Sequence, residues 1–99
     1  MKNIVLVCNA RLSTTILVEK MKEEAQKQSI ECNIISHSLS NIDEIVNDAS
    51  IILLAPQIGY ELDNIKNIAK CPVLIVDRNI YGMVQGDKVL ELALENLVK

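Results

Sequence analysis

The chain has 99 residues, one domain's worth, and 49% of them are apolar; with Phe and Trp absent, Ile, Leu and Val must fill the core. The net charge of -3 is scattered over both signs, with no Lys/Arg cluster and only two aromatic residues, which excludes a nucleic-acid-binding face. Apolar runs are too short to span a membrane, the N-terminus "MKNIVLVCNA" lacks a signal-peptide core, and three scattered cysteines with a lone His37 exclude a disulfide framework or a zinc site. A single cytoplasmic domain over residues 1–99, without metal or cofactor and without membrane insertion, is the expectation.

In chain order, the first element is the apolar run Ile4 to Cys8. Leu17, Met21 and Ala25 then recur at helical spacing, with a helix start expected near Ser13. A second run, Cys32 to Ile35, precedes His37, which is expected at the surface after the strand. Ile42, Ile45, Val46 and Ala49 form the next helical stripe, and Asn41 with Glu44 has the spacing of a capping box. The third run is Ile51 to Ala55, followed by the stripe Ile58, Leu62, Ile65 and Ala69. The fourth run, Val73 to Val76, follows Cys71-Pro72, whose proline fixes an extended approach. Asp77 can cap the next turn, Tyr81 lies on the last loop, and Leu90, Ala93, Leu94 and Leu97 form the last stripe.

Continuous Ile/Val-rich runs suit strands covered on both faces, and strand and helix alternate four times. The fold expected is α/β: an open four-stranded parallel sheet of order 2-1-3-4, with helices on both faces. Ligands in such a sheet bind beyond the carboxyl ends of the strands where the winding reverses, here between strands 1 and 3. The bordering loops are Asn9 to Ser13 and Pro56 to Tyr60.

That places Cys8 at the one position the fold reserves for chemistry. A helix starting just after it offers unpaired N–H groups and a positive dipole end, which favour an anion, either thiolate or phosphoryl. Cys8 is equally readable as a small buried hydrophobe. A low-molecular-weight phosphatase would need an arginine six residues after the thiol, and Thr14 stands there. Cys32 and Cys71 read as core or boundary residues. Gln57, Tyr60 and Tyr81 are candidates for the rim of the crevice.

The stretch "IVLVCNARLSTTILVEKM" resembles the start of the lactose/cellobiose (chitobiose) family of enzyme IIB components of the bacterial phosphoenolpyruvate-dependent sugar phosphotransferase system. That family has a strand, then Cys-Ser-Ala-Gly-Met-Ser-Thr-Ser, then a helix. "ASIILLAPQIGYELDNIK" and "IYGMVQGDKVLELAL" continue the resemblance over the whole length. It implies a phosphotransferase in which Cys8 accepts a phosphoryl group from a phosphohistidine of enzyme IIA. The group then passes to a sugar, such as cellobiose or lactose, held by membrane enzyme IIC. It further implies a phosphate-binding loop after strand 1 comprising Asn9, Ala10, Arg11, Leu12, Ser13, Thr14 and Thr15. The main departure is Arg11, where the family has glycine. A loop needing positive φ there would resist it; otherwise it adds a cation beside the phosphate. A regulatory module using the same phosphorylation as a signal, or a phosphatase-like enzyme, are the alternative functions.

Overall fold

The computed structural model describes residues 2–8 and 11–97, with the backbone alone at 11–14 and 41. Four parallel strands, β1 (Lys2–Cys8), β2 (Cys32–Ser38), β3 (Ile51–Leu54) and β4 (Val73–Ile75), form a sheet of order β2-β1-β3-β4. This is the order expected from the sequence. The central strands β1 and β3 are covered on both sides: Ile4 to Cys8 and Ile51 to Leu54 are all buried. Edge strand β2 behaves differently, with Ile34 buried and Ile35 44% exposed. Edge strand β4 likewise leaves Ile75 41% exposed, so of the four apolar runs expected to be covered on both faces only the two central ones are, because only there do neighbours and helices close both sides.

Five helices connect and flank the strands: α1 (Arg11–Lys27), α2 (Ile42–Ile45), α3 (Leu62–Ile68), α4 (Arg78–Gly82) and α5 (Gly86–Asn96). Helices α1 and α5 pack together on one face through Leu17, Met21, Val89, Leu90 and Ala93, all buried. On the other face Val5 and Ile35 border a hollow closed by Ile45 and Ala49 of the α2 segment, and α3 packs beside β4. Side chains alternate between faces along a strand. Cys8, in phase with Ile4 and Leu6, therefore belongs to the α1 face, and Val7 and His37 to the α2 face.

Several local expectations are corrected. Helix α1 begins at Arg11, two residues before Ser13. The backbone of Asn41 ends a 3-10 turn, Leu39–Asn41, whose cap is the Ser38 hydroxyl, accepting from the Ser40 N–H; its side chain, and with it the expected capping box, lies outside the described residues. Glu44 turns its carboxylate toward His37, 3.9 Å away. His37 is within β2 and half-buried, not beyond it on the surface. Ile58 sits in a 3-10 segment, Pro56–Glu61, that precedes α3. Tyr81 lies on the short helix α4, not on a loop, and Asp77 does cap that helix, as expected.

Helices α1 and α4 end alike. Ile30 N–H donates to Ala25 C=O at 2.8 Å with Ser29 at φ 56°, and Gln85 N–H donates to Ile80 C=O at 3.1 Å with Val84 at φ 52°. Both are left-handed C-terminal motifs, normally closed by glycine. Val84 is β-branched, so the backbone there costs about 1–2 kcal/mol that the packing around it must offset.

Candidate active site

The carboxyl edge of the sheet is built as a staircase of main-chain hydrogen bonds. Cys8, the last residue of β1, lies opposite Ser38 of β2. One step on, Ala55 N–H donates to Val7 C=O at 2.9 Å, and Val76 N–H donates to Leu54 C=O at 2.9 Å. Each bond holds a strand end in place just before its chain turns away. Pro56 removes a donor and starts the 3-10 segment, and Asp77 starts α4 by accepting from Asn79 N–H at 3.0 Å and Ile80 N–H at 3.2 Å.

Cys8 is buried, at 6% exposure, and two residues separate it from the first turn of the 17-residue helix α1. The first N–H groups of a helix have no partner within it, and α1 has no acidic residue in its first turn to occupy them. An anion next to Cys8 thus meets helix amides and the positive dipole end together. Arg11, at the start of α1, needs no glycine-like backbone: among the described non-glycine residues only Ser29 and Val84 have positive φ.

Of the residues the sequence assigns to phosphoryl binding, Asn9 and Ala10 lie outside the described residues. Arg11, Leu12, Ser13 and Thr14 are placed by backbone only, in the first turn of α1, and Thr15 follows them with an exposed side chain. Gln57 and Tyr81 are brought together: with Pro56, Arg78 and Gly82 they line a cleft of about 170 Å³ at the same edge. Tyr81 is buried and Gln57 exposed. Tyr60 is 73% exposed and is not part of that lining. Sequence reading missed Arg78; the signal was its place after the strand-4 run, next to a capping Asp77.

His37 is no general base for the thiol. Its ring is on the face opposite Cys8, with Nδ1 3.2 Å from the Ser38 carbonyl and Nε2 toward Glu44. Among the described residues no cluster of His, Cys, Asp or Glu has the arrangement of a metal site, and no helix is long and apolar enough to cross a membrane.

None of the three cysteines is in a disulfide. Burial pushes the Cys32 and Cys71 thiols above their ordinary value. A folded-state pKa above the unfolded one stabilises below the unfolded pKa and is lost as pH rises through the folded one. The stability these two thiols contribute is therefore intact at neutral pH and declines above about 8.5. Urea titrations from pH 7 upward should show Cys71→Ala with a shallower alkaline decline than the parent; parallel curves would contradict this.

The family model for the lactose/cellobiose-specific IIB subunit of the phosphotransferase system matches residues 3–92. The chain belongs to this family. It is 35% identical to the oligo-beta-mannoside-specific EIIB component of Bacillus subtilis (strain 168), over 99% of this chain and 98% of that one. It is 34% identical to the galactose-specific EIIB component of Lactococcus lactis subsp. cremoris (strain MG1363), over 98% and 96%. The solution structure of the cellobiose-specific IIB component from Borrelia burgdorferi superposes with a TM-score of 0.80 at 32% identity, covering 97% of this chain and 91% of that one. The lactose-specific IIB domain from Streptococcus pneumoniae shares the fold, with a TM-score of 0.85 at 18% identity over 96% of both chains. A phosphotransferase-system IIB component is a phosphotransferase, which accords with a thiol and an anion-favouring helix start at one strand end.

Proposed function

We propose that this IIB component carries a phosphoryl group on Cys8 between a phosphorylated enzyme IIA and a sugar held by membrane enzyme IIC. The observation behind this reading is Cys8 at the end of central strand β1, two residues before the N-terminus of α1. The Cys8 thiolate attacks phosphorus; an S–P bond forms as the P–N bond to the donor histidine breaks, and the electron pair returns to the ring nitrogen. In the second step a sugar hydroxyl attacks, the O–P bond forms, the S–P bond breaks, and the hydroxyl proton is released. The transition state of each step is loose, so positioning and charge stabilisation by the helix amides supply most of the help. No metal or nucleotide enters either step. Relatives of nearly equal identity are named for oligo-beta-mannosides and for galactose, so sugar choice belongs to IIC rather than to features these chains share. The protein works at the cytoplasmic side of the membrane, where IIA delivers the group.

The test is phosphorylation of the purified protein by phosphoenolpyruvate, the general phosphotransferase proteins and a set of IIA candidates, with the label located by mass spectrometry. One phosphoryl group on Cys8 is expected. Label on His37, or none from any donor, would overturn the proposal.

Arg11 contributes a smaller effect. Arg11 is the first residue of α1, three residues after Cys8, and a cation at that position adds an attraction for the phosphoryl group of about 1 kcal/mol or less. Arg11→Gly should accept the phosphoryl group fully and release it about two- to five-fold faster at low salt, with the gap closing at high salt. Unchanged release at low salt would leave Arg11 without a role.

A further inference from the structure

The carboxyl edge carries a cation to which the phosphocarrier reading above gives no role. Arg78 is exposed, lines the cleft with Gln57 and Tyr81, and its guanidinium pairs with no described residue. Neighbouring Asp77 forms no ion pair with it; its Oδ2 accepts the Asn79 and Ile80 N–H groups. Among the described residues no carboxylate lines this cleft, whereas Glu24, Asp87, Glu91 and Glu95 line the groove between α1 and α5. The segments that form the cleft also expose the two most accessible large apolar side chains among the described residues, Tyr60 at 73% and Met83 at 72%. A cation, an amide and an apolar rim together have the composition of a protein-docking surface.

We propose that Arg78 is a docking residue for the phosphoryl donor and that the cleft receives a carboxylate side chain of enzyme IIA. The proposal rests on the phosphocarrier reading above. Strand β3 separates β1 from β4, the strand that leads into α4 and Arg78, by two strand spacings, about 10 Å. Set to one side of Cys8 in this way, the guanidinium is placed to grip the body of a protein presenting a phosphohistidine there. The planar guanidinium matches a carboxylate in two parallel hydrogen bonds, and the Gln57 amide can donate a third. In a chain of net charge -3, a local cation at the docking edge selects an acidic patch and speeds encounter.

The experiment measures Cys8 phosphorylation against the concentration of phosphorylated IIA, together with calorimetric binding of unphosphorylated IIA. At low salt Arg78→Glu should raise KM for IIA about five-fold or more, the scale of one exposed ion pair, with the rate at saturation kept. Kd for unphosphorylated IIA should rise by the same factor, both effects should shrink at high salt, and Arg78→Lys should recover part of the loss. Lys70→Glu makes the same charge change at the opposite end of β4 and should leave KM within about two-fold. An unmoved KM in Arg78→Glu, or a loss independent of salt, would overturn the docking role while Cys8 is still phosphorylated. A KM effect without any change in binding of unphosphorylated IIA would put the phosphoryl group on Arg78 and overturn the carboxylate assignment. If wild type accepts no phosphoryl group on Cys8 from any IIA, the phosphocarrier reading fails, and this proposal with it.

Discussion

Cys8→Ser should lower the rate of phosphoryl acceptance by about 10⁴-fold or more, with folding unaffected. The oxygen nucleophile keeps the position and nearly the volume of sulfur. What it loses is the anion: a free thiol is a few per cent ionised near neutral pH, whereas an alcohol is essentially un-ionised and needs a base beside it. The nearest imidazole, His37, belongs to the other face of the sheet and is engaged with Glu44 and the Ser38 carbonyl, so it cannot serve. Cys32 and Cys71 lie before or at the amino ends of their strands, the far end of the sheet from Cys8. Cys32→Ser and Cys71→Ser should therefore accept the group at the parent rate. Quench-flow phosphorylation with circular dichroism on each variant makes the comparison; a Cys8→Ser rate within about ten-fold of the parent would mean that the sulfur is not the nucleophile.

Gly86→Ala should be among the most damaging single methyl additions in the molecule. A Cβ at Gly86 would stand 2.6 Å from Lys20 Cβ, 2.7 Å from the Lys20 carbonyl carbon and 2.8 Å from the Met21 nitrogen. Two of those atoms are main chain in the middle of α1, so no side-chain rotation relieves the clash. The two helices must part, and parting them loosens Leu17, Met21, Val89, Leu90 and Ala93, which are all buried. Overpacking of this kind costs about 2–3 kcal/mol, which for a domain of this size lowers Tm by about 10–20 °C. Gly82→Ala provides the contrast, since nothing lies within 4 Å of its added Cβ. It should melt within about 3 °C of the parent. A Gly86→Ala protein that melts with the parent would show that the α1–α5 contact yields at little cost.

The site was legible in part. Cys8 could be placed from sequence because an apolar run ends on it and a helical stripe follows, and a doubly wound sheet leaves one crevice at that point. Gln57 and Tyr81 could be named as neighbours because both follow strands that end on the same edge. Their meeting with Arg78 could not, because it depends on α4, a five-residue helix too short to show a periodic stripe. Tyr60 was expected beside Gln57 on sequence proximity, but a kink at Ile58, with φ -114° and ψ 22°, lies between them, and Ile58 alone turns into the core.

By itself the sequence determined the alternation of strands and helices and the position of the thiol at a strand end before a helix. The alternation follows from local patterns, apolar runs for strands and apolar spacing for the buried helix faces; the run Val73–Val76 shows that such a run does not by itself tell a central strand from an edge, since β4 is an edge with Ile75 41% exposed. Only the tertiary structure decided where α1 starts, which face His37 takes, and how closely α5 approaches α1. The chain leaves β2 directly into a 3-10 turn capped by Ser38, and Glu44 comes to lie 3.9 Å from His37 across that turn, a meeting no local spacing announces. Val84 is the clearest case. No local preference puts a β-branched residue at φ 52°, and it stands there because the chain must reverse from α4 to bring Gly86 against Lys20. Packing between elements distant in sequence outweighs about 1–2 kcal/mol of local preference, and that contest is invisible until the elements are assembled.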